Sequence, residues 1–284
     1  MTLRALFCER IRWYGLWNRS VVKWRHFLVR LLNTKFENSS RAGWEPTTGP
    51  GADGSFNPHR SVSGVSGFLK RSMDCLIAIT ALIVLAPVLA AIAIIVKAAD
   101  GGPILYRQIR VGLQGRHFTI IKFRTMNEHA ERDLGPIWSV PRDPRCTRPG
   151  YYLRRLGLDE LPQLWNILRG DMSFVGPRPE RPHFTREFRE QYDEYDVRQT
   201  VQPGLTGYAQ IHGWRGFTSL EERLRHDIYY VRNWSISLDV YIFFMTALSI
   251  WSERTTVGAG YEGAYELSGK HTPLLEKEGW MRGQ

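Results

Sequence analysis

Cys75 to Val96 reads CLIAITALIVLAPVLAAIAIIV, 22 residues without a charge, bracketed by Lys70, Arg71 and Asp74 upstream and by Lys97 downstream. At about 1.5 Å rise per residue the run makes roughly 33 Å of helix, enough to cross a hydrocarbon core. Two arrangements suit it: a simple span, and a hairpin that dips into the bilayer and returns. Basic residues crowd both flanks, Lys70 and Arg71 on one side and Lys97, Arg107, Arg110 and Arg116 on the other. The preference of cations for the cytoplasmic side therefore selects neither orientation of a span. Pro87, thirteenth of the 22, withdraws a backbone donor and pushes Ala86 away from helical geometry. A break there, with both ends cytoplasmic, removes the charge conflict. The expectation is a re-entrant helix-break-helix over residues 67–99, although membrane helices do tolerate proline.

Upstream lies most of the excess charge. The chain has 284 residues, 38 Lys+Arg against 28 Asp+Glu and 43% hydrophobic residues, which excludes a disordered or collagen-like chain and allows one or two folded domains. Residues 1–36 hold Arg4, Arg10, Arg12, Arg19, Lys23, Arg25, Arg30 and Lys35 against Glu9 alone, so seven of the ten net positive charges sit there. Tyr14, Trp17, Val21, Trp24, Leu28 and Leu31 recur at helical spacing between them. That pattern predicts a basic amphipathic helix on an anionic lipid surface; a basic tail without order, or a nucleic-acid-binding arm, is the plainer alternative. No apolar run free of Arg or Lys is long enough here for a secretory signal. Residues 37–66, rich in Gly, Ser, Pro, Asn and Thr, read as a flexible linker. Cys8, Cys75 and Cys146 are scattered and odd in number, which gives neither a disulfide framework nor a zinc pattern and points to a reducing compartment.

Downstream, residues 100–252 read as one α+β, mainly helical domain, and 253–284 as a tail without signal. ILYRQIRVGLQGRHFTIIKFRTM predicts a β-hairpin turning at Gly112–Gly115. GLDELPQLWNILRGD predicts a short helix ended by Gly170. HFTREFREQYDEYDVR, from His183 to Arg198, is polar on most faces and reads as a solvated helix. The apolar run from Val240 to Trp251 is too short to span and suits burial or an interfacial position.

The chemistry concentrates in RRLGLDELPQLWNILRGDMSFVGPRPER, residues 154–181. Asp159 and Glu160 precede the helix, where its dipole favours negative charge, and the pair offers oxygen ligands to a hard cation. Arg154 and Arg155 stand before them, Arg169, Arg178 and Arg181 after, with guanidinium forks suited to phosphate oxygens. Lys122 and Arg124, two apart, are expected to share one strand face. Carboxylates among converging cations suit phosphoryl transfer, in which an Asp can be the nucleophile; a capped surface helix with ordinary salt bridges accounts for the same spacing. The eight His, His212 among them, have no ligand spacing, and Walker and Rossmann fingerprints are absent.

YRQIRVGLQGRHFTIIKFRTM, LRRLGLDELPQLWNILRGDMSFVGPRPE, VQPGLTGYAQIHGWRG and HDIYYVRNWSISLDV together resemble the bacterial sugar transferase family, the monotopic polyprenyl-phosphate phosphoglycosyl transferases, from about Leu69 to Ile250. The resemblance implies transfer of a hexose 1-phosphate from a UDP-sugar to undecaprenyl phosphate at the cytoplasmic face of the bacterial inner membrane, with release of UMP. It implies a covalent phosphosugar on Asp159, Mg²⁺ held with Asp159 and Glu160, and phosphate or nucleotide contacts from Lys122, Arg124, Arg155 and Arg178. The family's membrane element is likewise a re-entrant helix broken in the middle, here at Pro87, and its exopolysaccharide-initiating glucose phosphotransferase branch is the nearest in pattern. His212, where that branch more often has Asn, and Phe217, where it often has an acid, leave glucose or galactose only favoured over an N-acetylated sugar. The oligomeric state stays open, a homo-oligomer included. An inert membrane scaffold of the same fold is the alternative. A nucleic-acid binder is disfavoured, because outside residues 1–36 the net charge is only +3 of the +10.

Overall fold

The charge-free run folds as two helices. In the computed structural model, which describes residues 64–128, 130, 143–216 and 218–253, α1 (Gly64–Val84) and α2 (Ala86–Asp100) are bent by 64° at Leu85. The break thus falls two residues before Pro87, and Ala86 stays helical. The reason is stereochemical: Pro87 occupies the first turn of α2, where its fixed φ suits a helix start and its missing N–H would have had no intrahelical acceptor. Leu85 takes the break instead, at φ −89° and ψ 0°. Residues 64–66, expected as linker, are helical, and the second arm runs on to Asp100. No single described helix is long and apolar enough to cross a membrane, whereas the bent pair together meets both criteria. Phe68, Leu76, Ile83 and Ile94 along this pair are each about 70% exposed, which is costly in water. The expected helix of residues 1–36, the linker through residue 63 and the tail from residue 254 lie outside the described residues, as does Phe217.

After α2 come the antiparallel strands β1 (Leu105–Val111) and β2 (His117–Phe123), with Tyr106 opposite Lys122; a 3₁₀ turn at Leu113–Gly115 joins them, as the sequence predicts. Helix α3 (Arg148–Arg155) starts at Thr147, whose hydroxyl accepts the Gly150 N–H at 3.1 Å. A 3₁₀ turn, Leu158–Glu160, precedes α4 (Gln163–Arg169), which ends at Gly170. Strand β3 (Ser173–Val175) then pairs in parallel with β4 (Gly204–Thr206). The remaining helices are α5 (Pro182–Gln191), α6 (Tyr208–Ile211), α7 (Leu220–Arg232) and α8 (Ile236–Glu253). The fold is α+β and mainly helical, with two two-stranded sheets among the described residues, and from Gly64 to Ala247 those residues belong to one unit.

Two apolar clusters position the rest. In the first, Ile92 and Val96 of α2 pack on Phe123 and Leu153, with Leu158 and Leu161 against them, each fully buried side chain contributing about 1.5–3 kcal/mol. The second arm of the bent pair therefore supports the residues that flank Asp159 and Glu160. The second cluster is Phe184, Phe188, Tyr195, Leu224 and Ile228. It corrects the reading of residues 183–198 as merely solvated, because α5 lays its aromatic stripe on α7 while its charges stay outside. In α8, Ile242 and Met245 are buried while Val240, Phe243 and Phe244 are exposed, so the short apolar run has one face in the core and one outside.

Candidate active site

The site is made by two limbs of chain. On the first, Gly157 at φ 67° reverses the backbone after α3 and starts the 3₁₀ turn that carries Asp159 and Glu160; a side chain there would be strained. The carboxylates thus lie one turn ahead of α4, on a turn of their own. On the second limb, Gly176 follows β3 and leads into Pro177, Arg178 and Pro179. A Cβ on Gly176 would stand 2.3 Å from the Gln202 carbonyl oxygen and one on Gly204 2.1 Å from the Gly176 nitrogen, so β3 and β4 meet at backbone contact where only glycine fits.

Glu160 joins the limbs. Its Oε1 accepts from Lys122 Nζ at 2.7 Å and from Arg178 Nη2, and Arg178 Nη1 donates to its Oε2 at 3.2 Å. The fork of Arg178 grips both oxygens, a charge-assisted arrangement with fixed geometry. Burial alone would raise the Glu160 carboxyl, but Arg178 and Lys122 outweigh it and hold Glu160 well below the usual glutamate range; Glu160 in turn raises Arg178. Asp159 is the opposite case. It is buried, at 7% exposure, and among the described residues no hydrogen bond or ion pair engages its carboxylate. Burial pushes its pKa above the usual aspartate value; Lys122, Arg154 and Arg178 pull against that, while Glu160 adds to it. One carboxylate is clamped and anionic, and its neighbour is left open among cations.

A buried frame holds the second limb. Arg198 donates to the Arg178 carbonyl at 2.8 Å, to Tyr195 Oη at 2.9 Å and to Asp227 at 2.7 and 3.0 Å, and the Arg198–Asp227 side chains are 4% and 2% exposed. Glu180 accepts from Arg223 at 2.9 Å, and its carbonyl accepts the Val111 N–H at 2.9 Å. On the first limb Asn166, fully buried, accepts from the Ile121 N–H at 3.0 Å and donates to the Thr119 carbonyl at 2.7 Å. That splices α4 to the strand carrying Lys122.

Of the residues expected from sequence, Asp159, Glu160, Lys122 and Arg178 come together. Arg124 does not. β2 ends at Phe123, so the two cations share no strand face, and Arg124 spends its donors on Asp100 and on the Pro103 carbonyl at 2.6 Å. Arg155 is exposed on the outer side of α3, and it is Arg154 whose charge reaches Asp159. Asn166, Arg198, Asp227 and Arg223 were missed, since polar residues paired across dozens of positions look like solvated ones. Three or more His, Cys, Asp or Glu that could hold a metal ion do not gather anywhere among the described residues.

Residues 65–253 match the family described as bacterial sugar transferase. The chain belongs to that family. It is 42% identical over 189 residues to the UDP-glucose:undecaprenyl-phosphate glucose-1-phosphate transferase of Escherichia coli K12, covering 65% of this chain and 40% of that protein. Over 190 residues it is 40% identical to the UDP-N-acetylgalactosamine-undecaprenyl-phosphate N-acetylgalactosaminephosphotransferase of Aeromonas hydrophila, 66% of this chain and 45% of that one. The exopolysaccharide production protein ExoY of Sinorhizobium fredii is 42% identical over 211 residues, 68% of this chain and 90% of that protein. The chain thus spans only about two fifths of the first of these relatives.

Proposed function

We propose that the protein transfers a hexose 1-phosphate from a UDP-sugar to undecaprenyl phosphate, releasing UMP, as the first step of exopolysaccharide or related glycan assembly. The names of two relatives supply the donor and acceptor classes, and that of a third the exopolysaccharide. The observation that carries the mechanism is the contrast within the pair: Asp159 buried and unengaged, Glu160 gripped by Lys122 and Arg178.

Asp159 attacks the phosphorus that bears the sugar; an O–P bond forms to the carboxylate as the bond to UMP breaks, and UMP leaves with the electron pair. The acceptor's phosphate oxygen then attacks the same phosphorus and expels the Asp159 carboxylate. Lys122 and Arg178, already converging at Glu160, offset the charge on the transferred group, and Glu160 holds both in place. Lys122, Arg154 and Arg178 favour the ionised form of Asp159 against the pull of burial. Asp159, with Glu160 beside it, offers the oxygen ligands that would hold a Mg²⁺ ion, which would supply Lewis-acid stabilisation of the leaving group. Arg124 and Arg155 are not assigned a substrate contact.

The bent pair α1–α2 is read as the membrane element, re-entrant, with both ends on the cytoplasmic face of a bacterial inner membrane; exposed apolar side chains on both arms and basic flanks support this. Glucose is the favoured sugar, supported by the glucose-1-phosphate transferase named for the Escherichia coli relative. Incubation with a UDP-sugar labelled in the sugar, without lipid, is expected to release UMP and leave label on Asp159. Release of UMP only when lipid is added, with no label on protein, would refute the two-step reading.

A further inference from the structure

Lys70, Arg71 and Asp74 bracket the apolar run, and the sequence alone assigns the two cations to membrane topology. Their contacts are of another kind. Lys70 Nζ donates to the Val175 carbonyl at 3.1 Å and to Asp239 Oδ2 at 2.6 Å; Tyr230 Oη donates to the same carbonyl at 3.1 Å and to Asp239 Oδ1 at 2.7 Å. One turn along α1, Asp74 Oδ1 accepts the Phe174 N–H at 3.1 Å. Among the described residues β3 pairs with β4 alone, so these side chains of α1 satisfy backbone groups that a further strand would otherwise take. Arg71 faces the other limb: its Nη1 and Nη2 donate to the Ile167 and Leu168 carbonyls, at 2.5 and 2.7 Å, at the C-terminal end of α4.

From these contacts we infer that Lys70, Arg71 and Asp74 are positioning residues that tie α1 to both limbs of the active site. Val175 is three residues from Arg178, at most about 11 Å of extended chain, and α4 follows directly on the turn carrying Asp159 and Glu160. One stretch of α1 thus sets the register in which Arg178 meets Glu160. Lys70 is buried, at 8% exposure, and Asp74 at 5%; charges acting only on topology have no need of burial.

Arg71→Lys separates the two roles, because it keeps the charge that topology counts and loses the fork that reaches two carbonyls at once. The inference rests on the proposed reaction only for its kinetic readout. Expected in the membrane-inserted full chain is a fall in kcat of about tenfold or more with donor KM unchanged; Lys70→Met should behave likewise and Lys70→Arg recover part of the loss. Phe184→Leu, a deletion in the aromatic cluster away from α1 and outside the Arg198–Asp227 frame, serves as the control for stability and should keep its kcat where folded. Amide exchange gives a readout free of activity: peptides covering 158–170 and 173–178 should exchange faster in Arg71→Lys and Lys70→Met, with no such change in the control. Normal kcat in Arg71→Lys, or exchange unchanged in both segments, overturns the inference. A wild-type protein that transfers nothing from any UDP-sugar would instead refute the proposed function, and the exchange result would still judge the clamp.

Discussion

Asp159→Asn and Glu160→Gln are near-identical chemical changes at adjacent positions, and the structure predicts opposite consequences. Asp159 makes no bond that Asn would break, and burial already disfavours its charge. Stability should therefore change by less than about 1 kcal/mol, in either direction. Glu160 is the partner of two cations whose side chains are 15% and 30% exposed. Removing one member of a buried pair costs about 3–5 kcal/mol, and partial exposure reduces that to roughly 1–3 kcal/mol. For a domain of this size each kcal/mol moves Tm by about 2–4 °C, so Glu160→Gln should melt roughly 2–12 °C lower while Asp159→Asn melts near wild type. Turnover orders them the other way: Asp159→Asn removes the nucleophile and should leave no more than a few per cent of activity, and Glu160→Gln, which keeps the nucleophile and loosens its surroundings, should retain more. Thermal unfolding in detergent and UMP release measured on the same preparations test both halves. A melting loss in Asp159→Asn equal to that of Glu160→Gln, with activity largely kept, would make Asp159 a structural residue and refute the assignment.

The pH profile follows from the same asymmetry: activity should fall as pH drops through the raised Asp159 pKa, above the ordinary aspartate value, whereas the depressed Glu160 carboxyl keeps its pair until lower pH, its stabilising effect being lost only as pH falls through its folded pKa. Inactivation at mild acid should thus precede unfolding in a parallel pH titration of rate and far-UV signal. Asp227→Asn strips a buried guanidinium of its counter-charge and should cost about 3–5 kcal/mol, seen as a lower denaturation midpoint, with kcat reduced through the Arg178 carbonyl that Arg198 holds. Pro87→Ala restores a backbone donor and should straighten the pair; cysteine labelling from outside spheroplasts, silent at positions 67 and 102 in the wild type, should then reach one of them in part, and labelling of residue 67 alone in the wild type would sink the hairpin.

Legibility in the sequence tracked locality. The β-hairpin, the helix closed by Gly170 and the adjacent Asp159 and Glu160 are written in spacings of a few residues, and all three stand where the sequence puts them. The break at Leu85 was displaced from Pro87 because proline's own preference for a first turn is as local as its disruption of the turn before. Arg124 stands apart from the strand face of Lys122 because alternation cannot announce where a strand ends, and its partner Asp100 lies 24 residues away. Residues 183–198 hid a buried stripe and a buried arginine, since an ion pair 29 residues apart looks in sequence like two solvated charges.

The same limit explains why the flanks of the apolar run were read as topology alone. Lys70 and Arg71 find their partners 96 to 169 residues downstream, and most of those partners are backbone carbonyls, which no residue type reveals. Yet positive charge beside an apolar helix is useful twice over. Outside the bilayer it anchors the helix end, and inside the fold it satisfies carbonyls at a strand edge and a helix C-terminus that would otherwise be buried unpaired, at about 1–3 kcal/mol each. The two uses make opposite demands on solvent: an anchor is exposed and a carbonyl partner is not. Lys70, at 8% exposure, has met the second demand, which ties the start of α1 into the folded unit that carries Asp159 and Glu160 as well as placing it at the edge of the apolar run.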